Sequence, residues 1–228
     1  MSRRVVVGLW VCVLILGISL VPSSAGTITL DQLLLPGASL QVGDKIFADW
    51  WWMSGGSGPV YIPPPEEIVI EYSQLPNGNV SLVYNCGVSA WNGGSGDLLW
   101  GYTVRTASGK PWIHDWSMAL IDFGVQKMPG SHASIIWEEA LYDENHNLII
   151  DPPPAVSELK NIDYGVLTPP YSKIWVENDL AVYTEIQGDA AHVSQFEQRW
   201  SQVPEASSYA LFGLGFVGLG LFRRFRKR

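Results

Sequence analysis

Cysteine is almost missing from this chain, with only Cys12 and Cys86 in 228 residues. Cys12 lies inside an apolar run near the start, which leaves Cys86 alone in a mature domain and excludes an internal disulfide. Histidine is scarce as well: His114, His132, His146 and His192 show no H-x-x-x-H spacing and have one thiol to join, so a zinc site is not expected. No G-x-S-x-G elbow occurs, because Ser57 and Ser95 both lack Gly at plus two. Basic residues are missing from the middle. Seven of the 14 sit at Arg3, Arg4 and Arg223 to Arg228, so residues 26–204 carry seven basic against 21 acidic side chains, a net charge of −14. Such a surface repels phosphate chains, which excludes nucleic acid as a partner and disfavours anionic polysaccharide unless a divalent cation bridges the two. No stretch between residues 26 and 204 holds a 3.6-residue apolar period over three turns, and no internal repeat is found.

What the chain has in abundance is apolar surface. It is 47% hydrophobic, with 11 Trp, nine Tyr and seven Phe, so a packed core must hold it together without staples, metal or cofactor. The first 25 residues run from Arg3-Arg4 through the apolar stretch Val5 to Val21 to Ser23 and Ala25, the layout of a secretory signal peptide. Cleavage is expected between Ala25 and Gly26. An uncleaved anchor is the alternative, since 17 apolar residues are just enough to span.

The other end carries a second membrane signal. Tyr209 to Phe222 holds no charge and is followed at once by Arg223, Arg224, Phe225, Arg226, Lys227 and Arg228. As a helix of ~1.5 Å per residue it reaches roughly 21 Å, a marginal span of the ~30 Å hydrocarbon layer. Basic residues stay on the cytoplasmic side, which puts the acidic domain outside, in agreement with the N-terminal signal. A weak anchor suits a transient hold in the inner membrane. Val203-Pro204-Glu205, a short polar stretch, a Gly- and Leu-rich helix and the cluster Arg223, Arg224, Arg226 together resemble the PEP-CTERM sorting signal. The family motif is Pro-Glu-Pro, and Ala206 stands at its third position here. Ser39 to Phe47 and Val193 to Gln202 are also similar to segments of secreted PEP-CTERM proteins. The resemblance implies export, capture in the inner membrane, cleavage by an exosortase-type processing enzyme, and release or attachment at the cell surface. It implies no catalysis by this chain. The expected organisation is a signal peptide over 1–25, an ectodomain over 26–204 and a sorting signal over 205–228.

The ectodomain reads as short strands. Gly43-Asp44 separates Leu40 to Val42 from Lys45 to Trp52, and Pro76-Asn77-Gly78 separates the alternating runs 68–72 and 80–84, both hairpin signals. Further period-2 runs lie at 98–104, 112–123, 133–142, 172–177, 180–187 and 192–202. Nine or ten strands at this spacing predict an all-β antiparallel sandwich, jelly-roll or immunoglobulin-like. Ser54 to Gly58, Gly93 to Gly96 and the proline runs at 63–65 and 152–154 are expected as loops, with Asp151 to Tyr171 crossing in extended form between the sheets.

Sharper motifs fail on their context. Gly213 to Gly218 spells G-x-G-x-x-G but follows no strand. Asp143, Asn145 and Asn147 open like a calcium loop, yet Leu148 and Pro154 stand where Gly and Glu are required, so a turn is expected. Glu138 and Glu139 are adjacent on a strand and must point to opposite faces, which rules them out as a glycosidase pair. In Trp50-Trp51-Trp52 the same alternation puts Trp50 and Trp52 on one face and Trp51 on the other, so one of those faces should meet solvent. Trp51 and the loop residue Trp91 are therefore the candidate glycan contacts. Three function classes follow: a non-enzymatic exported surface or matrix protein, favoured by both termini; a module binding neutral extracellular polysaccharide, favoured by exposed Trp; and a secreted hydrolase, for which the sequence has no constellation. A patch of coplanar rings would mark the second, and paired carboxylates in a groove the third.

Overall fold

A computed structural model describes residues 25–151 and 153–202. Two antiparallel sheets pack face to face. The seven-stranded one comprises β1 (Ala25–Thr29), β4 (Val60–Tyr61), β5 (Val69–Gln74), β6 (Val80–Trp91), β8 (Ile113–Gln126), β11 (Ile162–Tyr171) and β13 (Ala190–Gln202), in the order β1-β5-β6-β13-β8-β11, with β4 beside β6. The six-stranded one comprises β2 (Ser39–Val42), β3 (Lys45–Ser57), β7 (Ser95–Thr106), β9 (Ala133–Tyr142), β10 (Ala155–Ser157) and β12 (Lys173–Thr184), in the order β10-β9-β12-β7-β3-β2. One helical turn, α1 (Leu30–Leu33), and a 3-10 turn at Pro65–Glu67 complete the described residues.

Period-2 patterning builds these strands as expected. Leu98, Trp100, Tyr102 and Val104 of β7 are all buried, as are Ile135, Trp137 and Leu141 of β9. Their side chains meet those of the opposite sheet in an aromatic cluster, with Phe196 stacked on Tyr84 at 4.7 Å and packed on Trp137 at 4.8 Å. Fully burying each such ring contributes roughly 1.5–3 kcal/mol, which is how the fold stands without staples. Cys86 is buried in this core, and burial pushes its thiol up to about 11. It is a packing group there.

Three expectations are corrected. The runs 172–177 and 180–187 are one strand, β12, because Asn178 and Asp179 continue the ladder to β7 and β9. Residues 151–171 do cross between sheets, but they also form β10 and β11, one in each sheet. Of the Gly-rich stretches expected as loops, Ser54 to Ser57 belong to β3 and pair in register with Leu98 to Ser95 of β7, while Gly93 and Gly94 do lie in the turn before β7. A backbone without side chains can still fill a ladder, and here two such stretches pair with each other.

A cluster of polar groups around Glu139 is enclosed by the core. Glu139 is 1% exposed, while its neighbour Glu138 points to solvent, as alternation requires. Gln198 Nε2 donates to the Glu139 carboxyl and to Asn178 Oδ1, and Gln198 Oε1 accepts from the Tyr84 and Tyr102 hydroxyls, both at 2.9 Å. Trp137 Nε1 donates to Asn178 Oδ1, and Trp200 Nε1 to the Tyr102 hydroxyl. This network ties the two sheets together through their polar atoms. Desolvation pushes the Glu139 carboxyl up to about 8, against the hydrogen bond from Gln198, which favours the ionised form.

Both ends of the described chain leave from one end of the sandwich. Ala25 pairs with Ser73, Ser73 with Ser81 and Ser81 with Arg199, three residues before Gln202. The turns before β7 and before β13 lie at the opposite end.

Candidate functional site

The outer face of the six-stranded sheet carries the features that could meet a ligand. Its position is set by a bulge. Phe47 and Ala48 of β3 oppose Val104 and Thr103, and the pairing resumes at Trp51 opposite Gly101, so Asp49 and Trp50 together face Tyr102. Asp49 takes the extra place with φ of 56° and accepts a hydrogen bond from the Thr103 hydroxyl. The bulge reverses the alternation beyond it. Trp50, 8% exposed, turns inward and stacks on Tyr102 at 4.5 Å, Trp52 packs against the core, and Trp51 turns outward.

Trp51 is half-buried on that outer face. Its indole lies over Gly101, where an added Cβ would stand 2.3 Å from Nε1 and 2.6 Å from the Val176 carbonyl oxygen. A glycine in the middle of a strand marks such a close approach. Gly101→Ala is expected to lift the ring from the sheet and destabilise the domain by about 1–3 kcal/mol, measurable by urea denaturation and as a change in near-UV circular dichroism. Trp175, also on this face, is already occupied: Lys173 Nζ sits 4.5 Å from its ring centroid and the His146 ring 5.1 Å away.

Farther along the same face, beyond the exposed Met53, a trough of about 520 Å³ lies toward the end away from the termini. Gly55 and Ala181 leave it without large side chains, Tyr183 and the hydrogen-bonded Ser57 and Ser95 hydroxyls line one end, and Asp97 and Asp179 stand in it. Nothing lies within 4 Å of where a Cβ on Gly55 would be, so the opening exists because that side chain is missing. Burial first, then the neighbouring Asp97 and the charge of Glu138, push the Asp179 carboxyl up to about 6. Among the described residues no group of three His, Cys, Asp or Glu could hold a metal ion. Asp143 accepts from the backbone N–H groups of Asn145 and Asn147 and from Asn147 Nδ2, so the calcium-like stretch is a closed turn.

The two tryptophans picked from the sequence are not brought together. Trp91, 40% exposed, is the last residue of β6 rather than a loop residue, and it pairs with Ala190 on the outer face of the other sheet. Asp97, Asp179, Gly55 and Gly101 were not picked. Their only signal was glycine inside an otherwise alternating strand, as at Gly101. Ala25 and Gly26 open β1, opposite Ser73 and Tyr72, so the expected cleavage point coincides with the start of the sandwich. Val203, Pro204, Glu205, Arg223, Arg224 and Arg226, the expected helix 209–222 and the signal segment 1–24 lie outside the described residues. Among those described, no helix is long and apolar enough to cross a membrane.

Residues 202–227 match the model of the PEP-CTERM protein-sorting motif. The chain carries a PEP-CTERM sorting motif. No curated protein matches it. Solved structures similar to it include TmCBM61 in complex with β-1,4-galactotriose, 10% identical over 64% of this chain and 86% of that one, with a TM-score of 0.29. A carbohydrate-binding module of the β-sandwich superfamily described as promiscuous in specificity is 11% identical over 63% of this chain, which spans about half (54%) of it, with a TM-score of 0.25. The CBM22-1 xylan-binding domain of Paenibacillus barcinonensis Xyn10C is 15% identical over 78% of this chain and 94% of that one, with a TM-score of 0.23. These likenesses are too distant to carry any function to the PEP-CTERM chain.

Proposed function

We propose that this PEP-CTERM chain is a non-enzymatic surface or matrix protein, exported, held transiently in the inner membrane by its C-terminal segment, processed by an exosortase-type enzyme, and engaging neutral extracellular polysaccharide through the outer face of its six-stranded sheet. The strands from β6 onward wind as in a jelly roll, with β6-β13-β8-β11 facing β7-β12-β9-β10. The observation that carries the glycan reading is the Trp51 ring laid flat over Gly101 on the outer face of the six-stranded sheet. A flat ring offers apolar area to a sugar face and an N–H to its hydroxyls. The charge of −14 on residues 26–204 turns anionic polymers away.

Affinity electrophoresis through neutral and acidic polysaccharide gels tests this. Retardation is expected in neutral gels, nearly indifferent to salt, and Trp51→Ala should weaken it about tenfold, the loss of ~1.5 kcal/mol of stacking. Retardation in acidic gels alone, or equal retardation of variant and wild type, would overturn the reading.

A further inference from the structure

The few basic residues of this acidic domain are placed unevenly. Seven lie between residues 26 and 204. Four are in ion pairs: Lys45 with Asp44, Lys127 with Glu158, Lys160 with Asp163 and Arg199 with Glu197. Among the described residues the other three, Arg105, Lys110 and Lys173, are in no ion pair. All three lie at the end of the sandwich from which the chain leaves. Arg105 of β7 stands opposite Lys173 of β12, and Ile113, which opens β8, stands opposite Gln202, the last described residue. Tyr171 pairs with Ile113, and Ser172 accepts a hydrogen bond from the Thr106 N–H, so these places adjoin. The connection from β7 to β8 carries Lys110 and, next to Ile113, Trp112, whose side chain is 54% exposed.

The fold itself gives no reason for this arrangement. Like charges directly opposite on adjacent strands destabilise a sheet, and the domain has 21 acidic side chains from which a partner for either cation could come. The carboxylates of this end are engaged elsewhere. Asp44 is held by Lys45, Glu197 by Arg199, Asp115 by the Ser201 hydroxyl, and Asp143 by the N–H groups of its own turn. Glu144, exposed on that turn, reaches no cation. Arg105, Lys110 and Lys173 thus present their charge to an anion outside the domain. Trp112 beside them combines an apolar ring with one N–H donor, the pairing of properties that favours the boundary between water and hydrocarbon.

Position decides which anion. Residues 203–208 separate Gln202 from the uncharged run Tyr209 to Phe222. At ~3.6 Å per residue that connection reaches roughly 25 Å at most, so a bilayer entered by the run lies within that distance of this end. The 12-residue strand β7 extends away from it for about 40 Å, several times the ~8 Å over which charge is felt at physiological salt. A polyanion free in solution meets the whole surface and its charge of −14. A bilayer meets this end alone.

We propose that the end of the sandwich at Gln202 is a membrane-docking surface, on which Arg105, Lys110 and Lys173 meet the phosphates of anionic phospholipids and the Trp112 indole enters the interface, standing the domain upright on the bilayer. This rests on the transient membrane hold proposed above and gives that hold an orientation. Each cation strengthens attachment to an anionic surface roughly fivefold. Such contacts are weak alone and gain from the high local concentration that the tether supplies, so cutting the tether also releases the domain.

The test uses the full chain in vesicles of phosphatidylcholine alone or mixed with phosphatidylglycerol. An environment-sensitive fluorophore is attached at Ser108→Cys, in the exposed β7–β8 connection, in a Cys12→Ser background; Cys86 is buried. The same label at Gln187→Cys reports on the opposite end. In mixed vesicles the label at 108 is expected to shift to the blue and be quenched by spin-labelled lipid, while the label at 187 stays in water. Neutral vesicles or molar sodium chloride should remove the response, and Trp112→Ala should weaken it. Lys110→Gln should lower the ratio of docked to undocked protein about fivefold and Arg105→Gln with Lys173→Gln about 25-fold; the double variant loses a like-charge pair and is expected to fold at least as well as the parent. Equal responses in neutral and mixed vesicles, equal responses at 108 and 187, or a response untouched by the double variant would each overturn the docking. So would dextran sulfate in solution moving the label at 108 where vesicles do not, which would favour a soluble polyanion. Flotation with both kinds of vesicle while the label at 108 stays in water would remove the docking and leave the hold standing. Flotation with mixed vesicles alone, with the label at 108 responding, would keep the docking and remove the hold.

Discussion

Glu139→Gln is expected to raise the stability of the domain by about 3 kcal/mol at pH 7 and to flatten its dependence on pH. The folded state holds the Glu139 proton up to a pH of about 8, whereas the unfolded chain releases it near the ordinary value of 4.5. Across that window the native state binds more protons than the unfolded one, so stability falls as pH rises and then levels off above 8. At ~1.4 kcal/mol per unit, the distance from 4.5 to pH 7 gives the figure above. A glutamine side chain is neutral throughout, nearly the same size, and its carbonyl accepts the hydrogen that Gln198 donates. Urea denaturation of both proteins at pH 5 and pH 8 checks this. Similar stability is expected at pH 5, with a gap that opens by pH 8. A wild-type curve as flat as that of the variant would show that the carboxyl is not carried neutral into the core.

Mass spectrometry of the extracellular fraction is expected to find a product lacking residues 209–228. The reason is chemical: an uncharged, Gly-rich stretch of marginal length stopped by Arg223 onward would hold a chain in the bilayer only weakly, and the matched sorting motif covers it. Pro204 and Glu205 are followed by Ala206, so Ala206→Pro should increase the yield of processed product. Intact tails found only in the inner membrane would overturn the expectation and implicate Ala206.

Most of the sandwich could be read directly. Alternation of apolar residues marks β2, β3, β5 to β9, β12 and β13 but not β1, β4, β10 or β11; Gly43-Asp44 and Asn77-Gly78 mark two of the hairpins, and adjacency alone puts Glu138 and Glu139 on opposite faces. The site was legible only in part. Period 2 separates Trp51 from its neighbours but does not say which side is core; that is decided by Asp49, one residue in a left-handed conformation that no local pattern announces. Ser54 to Ser57 look like a linker until Ser95 to Leu98 are found beside them, 38 or more positions along the chain. Asp97 and Asp179 are farther apart still, and each alone is an ordinary surface carboxylate. Their proximity is a property of the β7–β12 register, which one sequence does not display.

The place of β13 has a mechanical consequence. It is the last described strand, it is hydrogen-bonded to β6 on one side and β8 on the other, and the chain leaves it at Gln202. A tether pulling there loads the strand along its own axis, while its ladder bonds run across that axis, so they bear the force together and must fail together. Because the trough opens toward the far end of the sandwich, a polymer seated in it would draw against the tether in line with β13. Under a steady pull applied at Gln202, the lifetime of the fold would be set by the rate of shearing that one central strand rather than by its equilibrium stability.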